Sequence, residues 1–352
     1  MTGGPGVAGA DPTGAQVTAA ARRADFTELS RRLRDGGLFR RRGGYYAVTI
    51  PVVVVALAVL AAMVVLIGDS WWNLVSAVGL AFVLAQIGFL GHDAGHRQVW
   101  ARRRPNDAVG LVLTNLLSGF SFGWWLAKHS RHHAHTNAEG RDPDIAAGAL
   151  VYTPAQVEAC GRFGRWFARI QPFTLVPLLF LEALNLHVAS VRALARRRDV
   201  GVLAESSLLV LHVGLFFVTP FLVLSPIRAV AFIVVTQMLF GFYLGASFLP
   251  NHVGMPTITT DDDLGFLRRQ VRSSRNLGDS ALVGFLYGGL DSQIEHHLFP
   301  SMPRANLRRA RVVVRAFCAE HDIPYAEQTL HDAYRDVIGH LRTVGAGTGP
   351  AV

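Results

Sequence analysis

Four long apolar stretches constrain the fold of this chain more than any other feature. Residues 45–67 and 71–91 contain no charged side chain, and residues 203–224 and 228–249 are nearly as apolar. Each is long enough to cross a bilayer core, which takes about 20 residues of helix. Only 17% of the chain is charged, against about 25% in a typical soluble domain. We therefore predict an all-α integral membrane protein with four transmembrane helices.

Two further apolar stretches contain more polar residues. Residues 108–127 include Asn115, Ser118 and Ser121, and residues 170–190 include several polar and ionisable side chains. This composition favours helices that lie in the membrane interface or enter the bilayer and return.

The arginines predict the orientation of the chain in the membrane. The turn between the first two spans carries no Lys or Arg, and the turn between the last two carries only Arg228. Eight arginines precede the first span: Arg22, Arg23, Arg31, Arg32, Arg34, Arg40, Arg41 and Arg42. By the positive-inside rule, both termini and the large central loop are cytoplasmic. Lys128 is the sole lysine, and this bias indicates a GC-rich bacterial gene and hence a bacterial plasma membrane.

The remaining segments complete the expected domain organisation. Residues 1–44 form a cytoplasmic N-terminal segment that is partly disordered, because its first residues are rich in Gly, Ala, Pro and Thr. Residues 45–299 form the membrane domain. Residues 300–343 form a cytoplasmic helical cap, and residues 344–352 form a disordered tail.

Histidines occur in three clusters beside the apolar stretches. His92 and His96 are four residues apart at the end of the second span, so on a helix they share one face. The second cluster is His129, His132 and His133, which also have helical spacing.

The third cluster is His296 and His297, preceded by Gln293. Adjacent residues on a helix point about 100° apart, so these two histidines suit two different metal ions. His252, just after the fourth span, is an eighth candidate ligand. Cys160 and Cys318 are too far apart in sequence for a Cys-x-x-Cys site, so any metal must depend on histidine and oxygen ligands.

The joint occurrence of the clusters is the signal for a metal site, since a single His-x-x-x-His pair is common by chance. The clusters can meet only if they lie on one side of the membrane. Residues 108–127 and 170–190 therefore cannot each cross the bilayer once. Asp93 and one of Asp142 or Asp144 are expected to orient ligand imidazoles.

Five of the six other histidines are expected to have no metal role, although His212 lies inside a span, where it could bridge two helices; the sixth, His135, follows the second cluster. The five are His187, His212, His321, His331 and His340. Ligation by nitrogen with few carboxylates suits iron, zinc or copper. A site at the membrane surface, open to apolar chains, suggests activation of oxygen against a C–H bond, which side-chain acids and bases cannot cleave. No catalytic residue beyond the metal centre is expected.

The clusters, with their flanking residues, resemble those of the membrane fatty acid desaturase family. The matching segments are His92-Asp93-Ala94-Gly95-His96, His129-Ser130-Arg131-His132-His133 and Gln293-Ile294-Glu295-His296-His297. The resemblance implies a non-haem centre of two iron ions, O2 as co-substrate and two electrons per turnover. It makes His252 a ligand, and Gln293 either a weak ligand or a donor to one. The glutamine resembles the acyl-lipid and front-end branch of the family.

The expected partners follow from the same resemblance. They are membrane lipid and a fatty acyl substrate linked to lipid or coenzyme A. No nucleic acid partner is expected. The N-terminal segment contains no His-Pro-Gly-Gly haem motif of a fused cytochrome b5, so a ferredoxin or flavoprotein is expected to supply electrons.

Two other functions remain open from the sequence. A membrane hydroxylase or ketolase could use the same centre, because desaturation and hydroxylation diverge only after the first hydrogen is removed. A metal transporter or sensor would require ionisable residues along its spans. The four spans hold Glu205 and His212 but no aligned pairs of acid and histidine.

Overall fold

Helices form most of the chain in the computed structural model, which describes residues 19–259, 264–278 and 280–347. The first eight α-helices are α1 (Ala19–Asp35), α2 (Gly43–Ile67), α3 (Asn73–Gly95), α4 (Arg103–Leu111), α5 (Phe122–Ala134), α6 (Pro154–Ala159), α7 (Arg162–Leu179) and α8 (Glu182–Arg196). The next eight are α9 (Gly201–Val213), α10 (Pro220–Val223), α11 (Pro226–His252), α12 (Gly265–Arg272), α13 (Ala281–Leu286), α14 (Gln293–Leu298), α15 (Arg304–Glu320) and α16 (Leu330–Gly345). Two short strands, β1 (Asn276–Leu277) and β2 (Glu327–Gln328), pair in parallel.

Four of these elements are long and apolar enough to span a membrane, as the sequence predicts. They are α2, α3, a third span over Gly201–Val223, and α11. The third span combines α9 and α10 through a π-helical segment, Gly214–Val218. Pro226 begins α11 at a position where its missing N–H leaves no helical bond unmade. The prediction of an all-α integral membrane protein is confirmed.

Helix α3 is the centre of the membrane region. Most of its side chains are buried, and it packs against α2, α4 and α11. By contrast, α2 exposes large apolar side chains such as Val55 and Leu66, which is the expected surface of a helix facing lipid. Within the bundle, the Gln86 amide donates to the Tyr243 hydroxyl over 2.9 Å, which joins α3 to α11.

The two apolar stretches that contain more polar residues, 108–127 and 170–190, lie in sharply bent helix pairs. The π-helical segment Val112–Ser118 extends α4, and the resulting helix meets α5 at 108°. Helices α7 and α8 meet at 81°. Gly119 makes the first bend with φ of +81°, and a Cβ there would clash with His212 Nε2. Only glycine fits this position. A bend of this size lets a segment enter and leave the bilayer on one side.

The opposite ends of the spans carry different chemistry. The turns that follow α2 and α10 lie together, because Arg228 pairs with Asp69 and the Ser225 N–H donates to the Asp69 carboxylate over 2.7 Å. At the other end, α3 ends beside His96 and α11 ends at His252. The histidine clusters therefore lie on the far side of the bundle from these two turns.

A second hydrophobic core lies outside the spans and joins distant parts of the chain. Leu33 of α1, Val271 of α12, Ile294 of α14 and Phe317 of α15 are all buried in it. The N-terminal helix and the segment with the third histidine cluster thus share one core with the helical cap. Helix α16 continues to Gly345, inside the segment expected to be disordered. Residues 1–18 and 348–352, also expected to be disordered, lie outside the described residues.

Cysteine labelling tests this topology. In a background with Cys160→Ala and Cys318→Ala, Ser70→Cys should react with an impermeant thiol reagent on intact cells. Arg141→Cys should react only after permeabilisation, because the bend at Gly119 returns the chain to the side from which it entered. Labelling of both positions from outside would mean that residues 103–134 cross the membrane.

Candidate metal centre

Eight histidines from four helices meet at one end of the spans. They come from the last turn of α3 and its C-cap, from α5, from the last residue of α11, and from α14. They are His92, His96, His129, His132, His133, His252, His296 and His297. These are the eight residues that the sequence predicts as ligands, and the fold brings all of them together.

Four of these histidines form the first group. The ring nitrogens that His92, His96, His129 and His296 direct at one another all lie within 4.8 Å. His96 Nε2 is 2.9 Å from His129 Nε2. Trp125 stacks on the His129 ring with centroids 4.7 Å apart and fixes its plane.

Three histidines form the second group, in which His132, His252 and His297 have ring nitrogens within 4.8 Å of one another. The Nδ1 of His252 donates to the Ser273 carbonyl over 3.0 Å. The Nδ1 of His297 donates to the Gln270 side-chain oxygen over 3.1 Å. These bonds place the proton of each ring on Nδ1 and leave a lone pair on Nε2, the usual arrangement of metal-binding imidazoles.

His133 lies between the two groups. Its Nε2 is 3.0 Å from His129 Nε2 in the first group. Its ring stacks on that of His297 in the second group, with centroids 4.2 Å apart. This position suits a ligand to either of two neighbouring ions.

The donor set fits metal ions and is poorly satisfied without them. Both ring nitrogens of His92 and His296, and Nε2 of His297, are buried and form no hydrogen bond. Burial, with the neighbouring imidazoles, lowers the pKa of His296 and His297 well below the usual value, so both rings are neutral. Buried polar atoms without partners are costly, and bound cations would satisfy them. Two groups of converging nitrogens therefore could hold two ions.

The two acidic residues expected to orient a ligand imidazole, Asp142 and Asp144, differ in their distance to His132. Asp142 is hydrogen-bonded to His132 Nδ1 over 3.0 Å, and the Asn137 and Asp144 backbone N–H groups fix its carboxylate. Asp144, the other candidate from the sequence, is 3.4 Å from the same nitrogen and pairs with Lys128. Asp142 therefore has the shorter contact, because it faces the imidazole from within the loop.

Asp93 and Gln293 also lie beside ligand imidazoles. Asp93 is 3.6 Å from His92 Nδ1, beyond hydrogen-bond distance. Its carboxylate instead forms an ion pair with Arg304, whose Nε is 2.9 Å away, and accepts a hydrogen bond from the Tyr46 hydroxyl over 3.1 Å. The Gln293 amide is 2.8 Å from His252 Nε2, close enough to act on that ligand directly.

Other contacts to the centre were not evident from sequence. Gln270 and Ser273 hold His297 and His252, and Thr136 lies 3.0 Å from His297 Nδ1. Gln270 and Ser273 belong to no histidine cluster, so only the packing of α12 on α14 reveals them. His187 and His212 lie apart from the eight, with their Nε2 atoms 3.4 Å from each other. His212 also donates to the Leu116 carbonyl over 2.9 Å.

A cavity of about 600 Å³ opens against the histidines. His92, His129, His132 and His252 form part of its wall. Most of the remaining wall is apolar, with side chains such as Trp124, Trp125, Leu175, Leu179, Leu244 and Phe248. The cavity can therefore hold an apolar chain in contact with the centre.

Comparison with known proteins gives a consistent result. The family model for fatty acid desaturases matches residues 69–329. A Delta(8)-fatty-acid desaturase of Helianthus annuus is 26% identical over 91% of this chain and 72% of its own length. A Delta(6)-fatty-acid desaturase of Caenorhabditis elegans is 29% identical over 91% of this chain and 74% of its own. An acyl-lipid (9-3)-desaturase of Physcomitrium patens is 30% identical over 91% of this chain and 62% of its own.

Metal content tests the centre. His132→Ala and His296→Ala each remove a buried nitrogen from one group, so both variants should purify with markedly less metal. His331→Ala is the matched control, because this histidine is exposed on α16, and it should keep the wild-type amount. Wild-type metal content in both cluster variants, measured by elemental analysis, would rule out the centre.

The carboxylate beside His132 has its own test. Asp142→Ala leaves the imidazole without its acceptor, and loss of such a contact lowers metal affinity by about 10–100-fold. In a chelator titration, Asp142→Ala should lose metal at lower chelator concentration than wild type. Asp107→Ala, which removes a half-buried carboxylate paired with Arg103, should not change the titration.

Proposed function

The chain belongs to the fatty acid desaturase family and is a fatty acyl desaturase, and we propose that it inserts a cis double bond into long acyl chains with two iron ions and electrons from an external donor. The observation that carries the proposal is the apolar cavity whose wall includes four of the eight converging histidines. An acyl chain in this cavity lies directly against the atoms that would hold the metal.

Iron fits both the ligands and the reaction, and it is the metal that the family resemblance implies. The groups around His96 and His297 offer neutral imidazole nitrogen, which suits iron, zinc and copper alike. Of these, zinc has no redox chemistry, and an unactivated methylene C–H bond requires an oxidant. When bound, the two iron ions would supply the activation of O2. We assign His92, His96, His129 and His296 to one ion, and His132, His252 and His297 to the other.

His133 lies between the ions in this assignment. Asp142, Asp93 and Gln293 would then hold or tune ligand imidazoles, with Asp144 behind Asp142. The Asp142 bond places the proton of His132 on Nδ1, so Nε2 of that ring stays available as a ligand.

The reaction balances with two external electrons. Two neighbouring methylene groups each lose one hydrogen, and a carbon–carbon double bond forms between them. One O2 takes these two hydrogens, two electrons and two protons, and leaves as two water molecules. The chain's own contribution is position: the apolar wall excludes water and holds one bond of the substrate against the centre, and small displacements there are known to cost rate.

The electron donor is proposed to be a ferredoxin or flavoprotein that docks beside the centre. Arg141 and Arg269 lie on this side, and among the described residues neither forms an ion pair. Arg141 contacts His135, and Arg269 is next to Gln270, which holds His297. A basic surface here would attract an acidic carrier.

The proposal includes the cellular membrane and the orientation of the enzyme in it. Both termini and the histidine centre would face the cytoplasm of a bacterial plasma membrane, with residues 45–299 as the membrane domain and residues 300–343 as the cap. The known relatives described above are eukaryotic, so the bacterial setting depends on the arginine-rich composition alone.

Product analysis tests the function. Expressed in a bacterial host with a compatible ferredoxin system, the protein should yield a new fatty acid lighter than its precursor by two hydrogens. Gas chromatography with mass spectrometry of the fatty acid esters would detect it. His296→Ala should yield none, because it removes a buried nitrogen of the centre.

The same measurement separates the competing reactions. A product heavier than its precursor by one oxygen would show hydroxylation and contradict the proposal. Wild-type protein that carries metal and makes no new lipid with any donor would contradict desaturation and hydroxylation together.

A further inference from the structure

The only lysine of the chain stands in the substrate cavity. The sequence contains 34 basic residues, and all except Lys128 are arginine. Lys128 lies on α5 immediately before His129 and lines the cavity beside the histidines. Its side chain is 36% accessible, so its ammonium group can be reached from the cavity. In a chain that uses arginine everywhere else, this position is the exception.

Lys128 belongs to a small polar site in a mostly apolar wall. Its ammonium pairs with the Asp144 carboxylate, whose other oxygen is 3.4 Å from His132 Nδ1. Glu182 and Asn185, from the first turn of α8, line the same cavity, and the Asn185 amide donates to Glu182 over 3.2 Å. The polar site is thus separated from His132 only by the Asp144 carboxylate.

The chemistry of lysine suits this place better than that of arginine. An ammonium is a compact charge with three donors on a flexible stem, whereas a guanidinium is a broad planar fork. Asp144 accepts one bond from Lys128, and the ammonium has further donors for a ligand. Among the described residues that line the cavity, Lys128 is the sole Lys or Arg, so this site is where the polar end of an acyl chain can be held.

We propose that Lys128 binds the carbonyl oxygen of an esterified acyl chain and thereby sets the position of the double bond. The inference rests on the proposed desaturase function. The charges of the site determine the ligand class, because one ammonium is accompanied by the two carboxylates of Asp144 and Glu182. A free carboxylate or a phosphate would be repelled at close range by these two carboxylates, whereas an uncharged ester or thioester carbonyl would not be repelled by them.

The position of Lys128 also predicts where the double bond forms. Since Lys128 is close to the histidines, only a short part of the chain lies between the bound carbonyl and the centre. The double bond is therefore placed at a fixed distance from the carboxyl end, in the half of the chain nearer to it. Loss of the anchor would let the chain slide along the apolar wall.

Substitution of Lys128 separates this role from a structural one. Lys128→Met should raise KM for an acyl ester about 10-fold or more, the effect of losing one hydrogen bond to a charged group. It should also spread the double bond over neighbouring positions, while metal content stays at the wild-type level. Lys128→Arg keeps the charge and should retain a single main product. Arg103→Met, which removes an exposed cation paired with Asp107, should match wild type in all three measurements.

A double variant excludes the simplest alternative. Lys128→Met leaves Asp144 without its ion pair, and this alone could disturb His132. Lys128→Met with Asp144→Asn removes that charge, so a return to wild-type KM and a single product would overturn the proposal. Metal loss in Lys128→Met, or an unchanged double-bond position, would overturn it too. If wild type forms no alkene, the desaturase function itself fails, which is a different result.

The ligand class has its own measurement. The methyl ester of a long-chain acid should be converted with a lower KM than the free acid, and Glu182→Gln should narrow this difference, because it removes one of the two negative charges. Equal KM values for the ester and the free acid in the wild-type enzyme would exclude the carbonyl as the group that is selected.

Discussion

The convergence of uncharged imidazoles is the constraint on which the structure depends. His96 and His129 bring their Nε2 atoms to 2.9 Å, and His133 brings a third to 3.0 Å from His129. Neutral nitrogens at this distance cannot all direct lone pairs at one another, and protonation of several buried rings would place like charges together. Divalent cations resolve both difficulties. The protein therefore has to hold these rings rigidly while it leaves their inner faces open.

The membrane topology meets this requirement by keeping every cluster on one side. After α3, the chain continues through α4 and bends at Gly119 before α5. Because of this bend, α5 lies at the same end of the bundle as the last turn of α3. The close approach of His187 and His212 to Gly119 holds the tip of that bend against α8 and α9. Such a bend is predicted from the sequence, because the first two histidine clusters can meet only if the segment between them starts and ends on one side of the membrane. The contact that secures it joins residues from separate elements, and no sequence spacing marks it.

Local features of this chain can be predicted from its sequence, whereas contacts between distant segments cannot. Spans can be predicted because their length and lack of charge are local properties, and His92 with His96 can be recognised because a helix sets their spacing. Contacts that depend on packing cannot. Asp142 and Asp144 differ by two residues, and the loop geometry decides that Asp142 takes the shorter contact to His132. Gln270 reaches His297 only because α12 packs on α14.

The third histidine cluster connects the centre to the folding of the cap. Helix α14 has only six residues, too few to be stable alone in water, so its histidines depend on the core around it. Ile294 and Leu298 are buried in the core formed with α1, α12 and α15, while His296 and His297 face the centre. Bound metal would therefore stabilise the docked cap, and the docked cap orders the residues that could hold it. An ion pair also joins the cap to the first histidine cluster, because Arg304 of α15 pairs with Asp93, which lies between His92 and His96.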